Sequence, residues 1–343
     1  MIFRCQSGYE PHLAREIRPL GLVARNQGGG WLETNTPPDL ATISDLCFAH
    51  AILPGTEIVA GESVNSLAAD IAEFFFSTTH NERFKGRWPL IFDYDTGVDG
   101  LSRRVGSVEK FFAELLRKRM SRVAKLGTPA LPAHAPGLLR GLFLFFPNFH
   151  SAFISREIIS GGQRRMADDL LAPSRSYLKI EEAYGILGRE PAPRETVVDL
   201  GAAPGGWSYS AAKRGARVVA VDNGPLKAGA LDNPLITHIE QDAFRFDPTA
   251  SAATGNAPVN WLFCDLVENP RRVLDAIVVP WLERRWCRRF IVNLKFGRVA
   301  DLMDLLRDVR ARVPAVRVRH LYHDREEITL MGEIPNPKIP NPK

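Results

Sequence analysis

The sequence predicts an α/β protein in which a mixed α+β half precedes a half built on a mostly parallel sheet. Three observations lead there. Beyond residue 176, short apolar runs alternate with segments of helix length; a glycine-rich loop sits between one such run and the next helix; and glycine, proline and arginine crowd residues 160–176 as in a linker. At roughly 150 residues per domain, 343 residues suggest two to three domains. A hydrophobic share of 45% and a charged share of 24% exclude a disordered or fibrous chain.

The four cysteines, Cys5, Cys47, Cys264 and Cys287, stand far apart and never form a CxxC pair. That argues against a disulfide scaffold or zinc ribbon and fits a reducing compartment. No apolar run approaches the roughly 20 residues of a membrane span, and the opening MIFRCQSGYE lacks the apolar core of a signal peptide. The expected location is the cytoplasm. A formal charge of +5 permits a nucleic-acid partner without demanding one.

In the first half, Glu10 to Leu20 has loose helical spacing, and the glycines at 28–30 form a turn into a strand at Trp31. Ser107 to Lys125 reads as the best helix, with Phe111, Leu115 and Met120 near one face and Lys118, Arg119, Arg122 and Lys125 around the other. Gly141 to Phe146 and Ser151 to Ile154 are strand candidates about a Pro147-Asn148 turn. In the second half, strands are expected at Thr196–Leu200, Arg217–Val221, Ile236–Glu240, Val259–Cys264, Arg289–Leu294, Arg317–Leu321 and Glu327–Met331. Helices are expected at Trp207–Arg214, Pro270–Arg284 and Val299–Arg312, on both faces of the sheet. The last residues duplicate a PNPK unit and read as a loose tail.

The sharpest local feature is Val198-Asp199-Leu200-Gly201-Ala202-Ala203-Pro204-Gly205-Gly206-Trp207-Ser208. It follows an apolar strand and opens a helix, and its glycines, lacking Cβ, would let a ligand approach the backbone closely. The next strand ends in Val221-Asp222, a carboxylate placed for the hydroxyls of an adenosine ribose. The dinucleotide fingerprint needs a second glycine where Ala203 stands, and a P-loop needs Lys where Trp207 stands. S-adenosyl-L-methionine has no phosphate and escapes both demands. Asp242 ends the third strand, where it could bond an adenine amino group, and Asp265 ends the fourth; each could equally cap the segment that follows. Three acids at the carboxyl ends of successive strands lie on the edge where open α/β sheets bind ligands. Two lysines stand out in this half: Lys295, ending the fifth strand, and Lys179, in a short helix before the first. Glu327 opens the last strand, and its neighbour Glu326 would face the other way.

The runs DLGAAPGGWS, NLK and EEITL make this half similar to the FtsJ-type ribose 2′-O-methyltransferases. The runs PSRSYLKIEEAY, VDNGPL and LYHDREE resemble more narrowly the bacterial branch that methylates a cytidine of 23S rRNA. The resemblance implies a Rossmann-like, seven-stranded methyltransferase domain over 166–332, preceded by a ferredoxin-like α+β domain (1–70) and a THUMP domain (71–165), with a disordered tail (333–343). It implies a K-D-K-E tetrad of Lys179, Asp265, Lys295 and Glu327. It places cofactor contacts at Ser176, Ala203, Pro204, Gly205, Gly206, Asp222, Asp242 and Asp265, the cofactor being S-adenosyl-L-methionine, with no metal and no membrane. The expected partner is unassembled or precursor 23S rRNA, met by a monomer.

A ribose 2′-hydroxyl is a poor acid, so a base must take its proton as the new bond forms. Lys295 is the expected base, with Lys179 and Glu327 orienting the ribose and Asp265 bridging cofactor and tetrad. Lys179 and desolvation would lower the pKa of Lys295 while Asp265 and Glu327 would raise it, and the sequence leaves that balance open. Competing chemistries fit less well. Cys264 lies in an apolar strand and reads as core rather than nucleophile. His320 and His323 are expected on opposite faces of a strand, unfit to share a metal. Basic residues at Arg103-Arg104, Arg117-Lys118-Arg119, Arg122, Lys125 and Arg164-Arg165 suggest an RNA-holding surface. The rivals are a 2′-O-methyltransferase of another RNA position and a non-catalytic RNA-binding assembly factor.

Overall fold

The computed structural model describes residues 1–35, 43, 45–132, 136–255 and 258–334. Most of the duplicated tail, from 335 on, lies outside the described residues. The chain divides into two compact units, Met1–Gly162 and Gln163–Lys343.

Among the described residues the first unit is built on a nine-stranded sheet. Its strands are β1 (Ile2–Arg4), β2 (Ala24–Gly28), β3 (Trp31–Thr34), β4 (Ala51–Leu53), β5 (Glu57–Ala60), β6 (Trp88–Tyr94), β7 (Gly127–Thr128), β8 (Gly137–Phe146) and β9 (Ser151–Ser160). The order is β2-β3-β1-β4-β9-β8-β6-β7, with β5 also paired to β9. The β8–β9 hairpin is longer than its apolar centre suggests: the outer end of β8, Gly137–Arg140, alternates half-buried and exposed residues, and it pairs with the largely buried outer end of β9, Glu157–Ser160. Its turn is closed by Asn148, whose Oδ1 accepts the N–H groups of His150 (2.8 Å) and Ser151 (3.0 Å).

Among the described residues four α-helices accompany this sheet: α1 (Glu10–Ile17), α2 (Val64–Thr79), α3 (Leu101–Arg119) and α4 (Ser121–Leu126). Helix α2 starts where Ser63 accepts the N–H of Ser66 at 3.0 Å and Ser66 accepts that of Ser63 at 3.2 Å, a reciprocal capping box. Helix α3 departs from expectation. It begins six residues before Ser107, and its buried stripe is Leu101, Val105, Val108, Phe112 and Leu116. Phe111, expected on the core face, is 42% exposed. The upstream turn Leu101–Val105 fixes the stripe's phase, rotating it by one residue.

The second unit carries seven strands among the described residues: β10 (Thr196–Leu200), β11 (Arg217–Val221), β12 (Ile236–Ile239), β13 (Val259–Cys264), β14 (Cys287–Lys295), β15 (Arg317–Arg319) and β16 (Glu327–Glu333). Their order is β12-β11-β10-β13-β14-β16-β15, with β10–β14 parallel and β16 antiparallel to both its neighbours. Every residue of β10 is buried, as both faces of a covered parallel strand must be. The strand order reverses between β10 and β13. That switch point opens a crevice at the carboxyl ends of the strands.

Helices α5 (Tyr177–Leu187) and α6 (Gly206–Lys213) flank the start of this sheet. They are tied by Arg214, whose Nη1 and Nη2 meet the two carboxylate oxygens of Glu181 at 2.7 and 2.8 Å. The core here is led by Trp261, Phe263, Ile291 and Met331. The single helix expected over Pro270–Arg284 is instead α7 (Pro270–Val273), a π-helical turn over Leu274–Val278, and α8 (Val279–Glu283). Pro280 has no N–H to give, so the hydrogen-bond ladder widens ahead of it. Helix α9 (Leu302–Arg312) starts later than Val299 because Asp301 caps it, accepting the N–H of Met303 at 2.9 Å.

Candidate active site

The four members of the expected tetrad come together. Lys179 lies in the first turn of α5, Asp265 follows β13, Lys295 ends β14 and Glu327 opens β16. The antiparallel β14–β16 register sets Lys295 directly opposite Glu327. Lys295 Nζ donates to Asp265 Oδ1 and, at 2.5 Å, to Glu327 Oε2. Lys179 Nζ pairs with Glu327 Oε1 and stands 3.8 Å from Asp265 Oδ2. Each amine thus bridges the same two carboxylates, closing a ring of alternating charge whose side chains are at most 16% exposed.

The balance left open by the sequence falls to the carboxylates. Burial lowers the pKa of Lys295, but Asp265 and Glu327 outweigh it and raise the value, so the resting group is an ammonium. Glu327 moves the other way: burial raises its pKa, and Lys295 and Lys179 more than reverse this.

Beside the ring lies a cleft of ≈ 260 Å³. Its wall includes Ser174, Ser176, Asp199, Gly201–Pro204, Trp207, Asp265, Val267 and Lys295. Trp207 Nε1 donates to the carbonyl of Ser176 at 2.9 Å, holding the wall together. Asp199, Ser174, Trp207 and Val267 were not picked out as site residues from sequence, although an aspartate inside the apolar run VVDL is a signal. Asp199 is 1% exposed; one oxygen accepts from Ser208 Oγ at 2.6 Å, and Oδ1 has no hydrogen-bond partner among the described residues. Burial pushes its pKa up to about 7 against the opposing bond from Ser208.

The glycines of the loop do other work than the sequence implied. A Cβ on Gly201 would lie 2.8 Å from Leu266, one on Gly205 2.5 Å from Ala230, and one on Gly206 2.9 Å from Ser174 and Ser176. The space is filled by protein, and Gly201 and Gly205 have φ of +79° and +107°. They allow the chain itself to close around the cleft.

Neither Asp222 nor Asp242 is in the wall of this cleft. Asp222 accepts the N–H of Ala203 at 3.0 Å and of Gly224 at 2.8 Å, fastening the loop to the end of β11. Asp242 caps a short 3₁₀ turn, accepting the N–H of Phe244 at 2.9 Å. A second groove, of ≈ 450 Å³, opens along Asn223–Leu226, Ile236, His238 and Glu240.

Cys264 is fully buried, and burial pushes its thiol up to about 12, as expected of a packed residue and not a nucleophile. His320 and His323 lie not on a strand but in the loop after β15, which ends at Arg319. Among the described residues no three His, Cys, Asp or Glu side chains group as a metal set, and no helix is long and apolar enough to cross a membrane. The basic residues of the first unit that the sequence singles out lie on α3 and α4. Arg103, Arg117, Lys118, Arg119, Arg122 and Lys125 are exposed, while Arg104 is partly buried and donates to the carbonyl of Glu62 at 2.7 Å.

A seven-stranded sheet with its cleft at the strand switch is the architecture of a methyltransferase, and the FtsJ-like methyltransferase family matches residues 172–279. Similarity to curated proteins extends further. The ribosomal RNA large subunit methyltransferase M of Azoarcus sp. is 30% identical over 95% of this chain and 93% of its own length. That of Xylella fastidiosa is 31% identical over 96% and 97%. The Laribacter hongkongensis protein is 38% identical over 64% of each chain. The chain belongs to the family of ribosomal RNA large subunit methyltransferase M. It is a methyltransferase that uses S-adenosyl-L-methionine.

Proposed function

We propose that this protein methylates the ribose 2′-oxygen of a single cytidine of 23S rRNA, cytidine 2498 by family resemblance, using the Lys179-Asp265-Lys295-Glu327 ring. The observation that carries the reading is that ring, at the edge of a cleft suited to a cation without phosphate. Among the described residues Asp199 Oδ1 is a buried acceptor with no partner, Asp265 adds a second carboxylate, and the one lysine of the wall is already engaged. Such a wall favours a sulfonium and an ammonium over a pyrophosphate. S-adenosyl-L-methionine supplies the electrophilic methyl group when bound. Ser176, Ala203 and Pro204 of the wall would hold it, Gly205 and Gly206 shaping the loop behind them, with Asp222 and Asp242 towards its nucleoside and Asp265 between it and the ring.

The chain's own groups manage the ribose. Lys179 and Glu327 orient the hydroxyl. Lys295 takes its proton, and because its resting form is an ammonium it must first release one to bulk water. The exposed bases of α3 and α4 hold RNA through its phosphates, the role we assign to the THUMP-like part of the first half. The enzyme acts in the cytoplasm, as a monomer, on RNA not yet folded into a subunit.

Replacement Lys295→Ala tests the assignment. Cofactor affinity, measured calorimetrically, is expected to stay within a fewfold of the parent while methyl transfer to deproteinised 23S rRNA falls by roughly 10²–10⁴, the range for a general base. Full methylation by that variant would remove Lys295 from the role.

A further inference from the structure

The loop leading into Glu327 carries side chains that the reaction has not yet used. Tyr322 gives its backbone N–H to Glu182 Oε1 at 2.8 Å, and His323 gives its own to Oε2 at 3.3 Å. Glu182 is fully buried on α5, one turn beyond Lys179. The loop is therefore fastened to the helix that carries one tetrad amine, and it ends at the strand that carries one tetrad carboxylate.

Tyr322 is 44% exposed. His323 props it edge-on, with ring centroids 5.4 Å apart at 66°. The imidazole is itself fixed, its Nε2 accepting the N–H of Met166 at 2.9 Å, which requires that nitrogen to be unprotonated. Its pKa is lowered by burial first and then by the nearby guanidinium groups of Arg175 and Arg165. Both arginines are exposed, and Arg175 lies between Ser174 and Ser176 of the cleft wall. Arg175 has an acidic neighbour, Asp168, at 3.4 Å, and that pair is solvated on both sides, where ion pairing is weak and exchangeable.

An exposed ring held edge-on by an imidazole that two exposed guanidinium groups approach, on the loop that runs into the strand of Glu327, matches how proteins hold unpaired RNA. Bases stack on aromatic faces, and arginines take the phosphates. We infer that Tyr322, Arg165 and Arg175 form a docking lip for single-stranded RNA, Tyr322 stacking on a base next to the target nucleotide and the two arginines holding its flanking phosphates. The inference rests on the RNA-methylating function proposed above and adds how the substrate strand is seated.

Steady-state methylation of deproteinised 23S rRNA tests it with Tyr322→Ala, Tyr322→Phe and the double variant Arg165→Ala/Arg175→Ala. Tyr322→Ala is expected to raise KM for RNA about five- to a hundredfold, the span of one stacked base, with cofactor affinity and the thermal midpoint unchanged. Tyr322→Phe is expected to restore KM, since the face and not the hydroxyl is used. The arginine pair is expected to flatten the dependence of log K on log salt by about 1.4, or about 0.7 for each single-strand phosphate lost. Unchanged KM and slope, or a phenylalanine no better than alanine, would overturn the lip. A parent protein that methylates no ribose at all would instead sink the underlying function, so the two failures are distinguishable.

Discussion

Lys295 shows how one side chain ties stability and chemistry to opposite ends of the pH scale. Its pKa is raised in the fold by Asp265 and Glu327, so its contribution to stability is complete below the unfolded lysine value of about 10.4 and is lost as pH rises through the folded one. Glu327 is lowered; its contribution is present above about 4.3 and lost as pH falls through its folded value. The ring therefore supports the fold across the neutral range while keeping Lys295 an ammonium, and the base role proposed for it needs the free amine. If Lys295 must be neutral to accept the proton, the rate at saturating substrates should rise about tenfold per pH unit between roughly pH 6 and 9. A flat rate over that interval would assign the proton to another group. The sequence named all four residues but not this electrostatic outcome, because net charge at a site depends on distances that no spacing encodes.

Among the elements, those legible in the sequence were the parallel strands, whose buried runs such as Thr196–Leu200 and Val259–Cys264 match expectation at both ends. The amphipathic elements were less so. The phase of α3 depends on its first turn, Leu101–Val105; read from Ser107 alone, the apolar stripe falls on Phe111 rather than Phe112. Substitution tests the corrected phase. Phe112→Ala, at a fully buried position, is expected to cost about 3–5 kcal/mol, and Phe111→Ala about 0.5 kcal/mol or less beyond its partial contact, both read from urea midpoints. Equal costs would contradict the assignment. The π-helical turn before Pro280 and the Asp301 cap are likewise local chemistry, visible in retrospect from Pro280 and Asp301. The glycines of the 201–206 loop were not legible in this way. Leu266, Ala230, Ser174 and Ser176, which fill the space beside them, come from other segments of the chain.

Across the whole molecule, the chemistry gathers where the strand order reverses. Four residues spread from 179 to 327 meet there because β13 and β14 run parallel and β16 returns between β14 and β15, bringing Glu327 opposite Lys295. A sequence can nominate strand ends, but only the pairing order decides which ends are neighbours. All four residues of the ring belong to the second unit, and substrate holding is the role we propose for the exposed basic residues on α3 and α4 of the first. The most direct measurement of the central claim is to incubate the protein with labelled S-adenosyl-L-methionine and deproteinised 23S rRNA, and to map ribose methylation by protection from alkaline cleavage. One protected position, at a cytidine, and its loss in Lys295→Ala are the predicted results. Label appearing on a base, or no label transferred by the intact protein, would contradict the account.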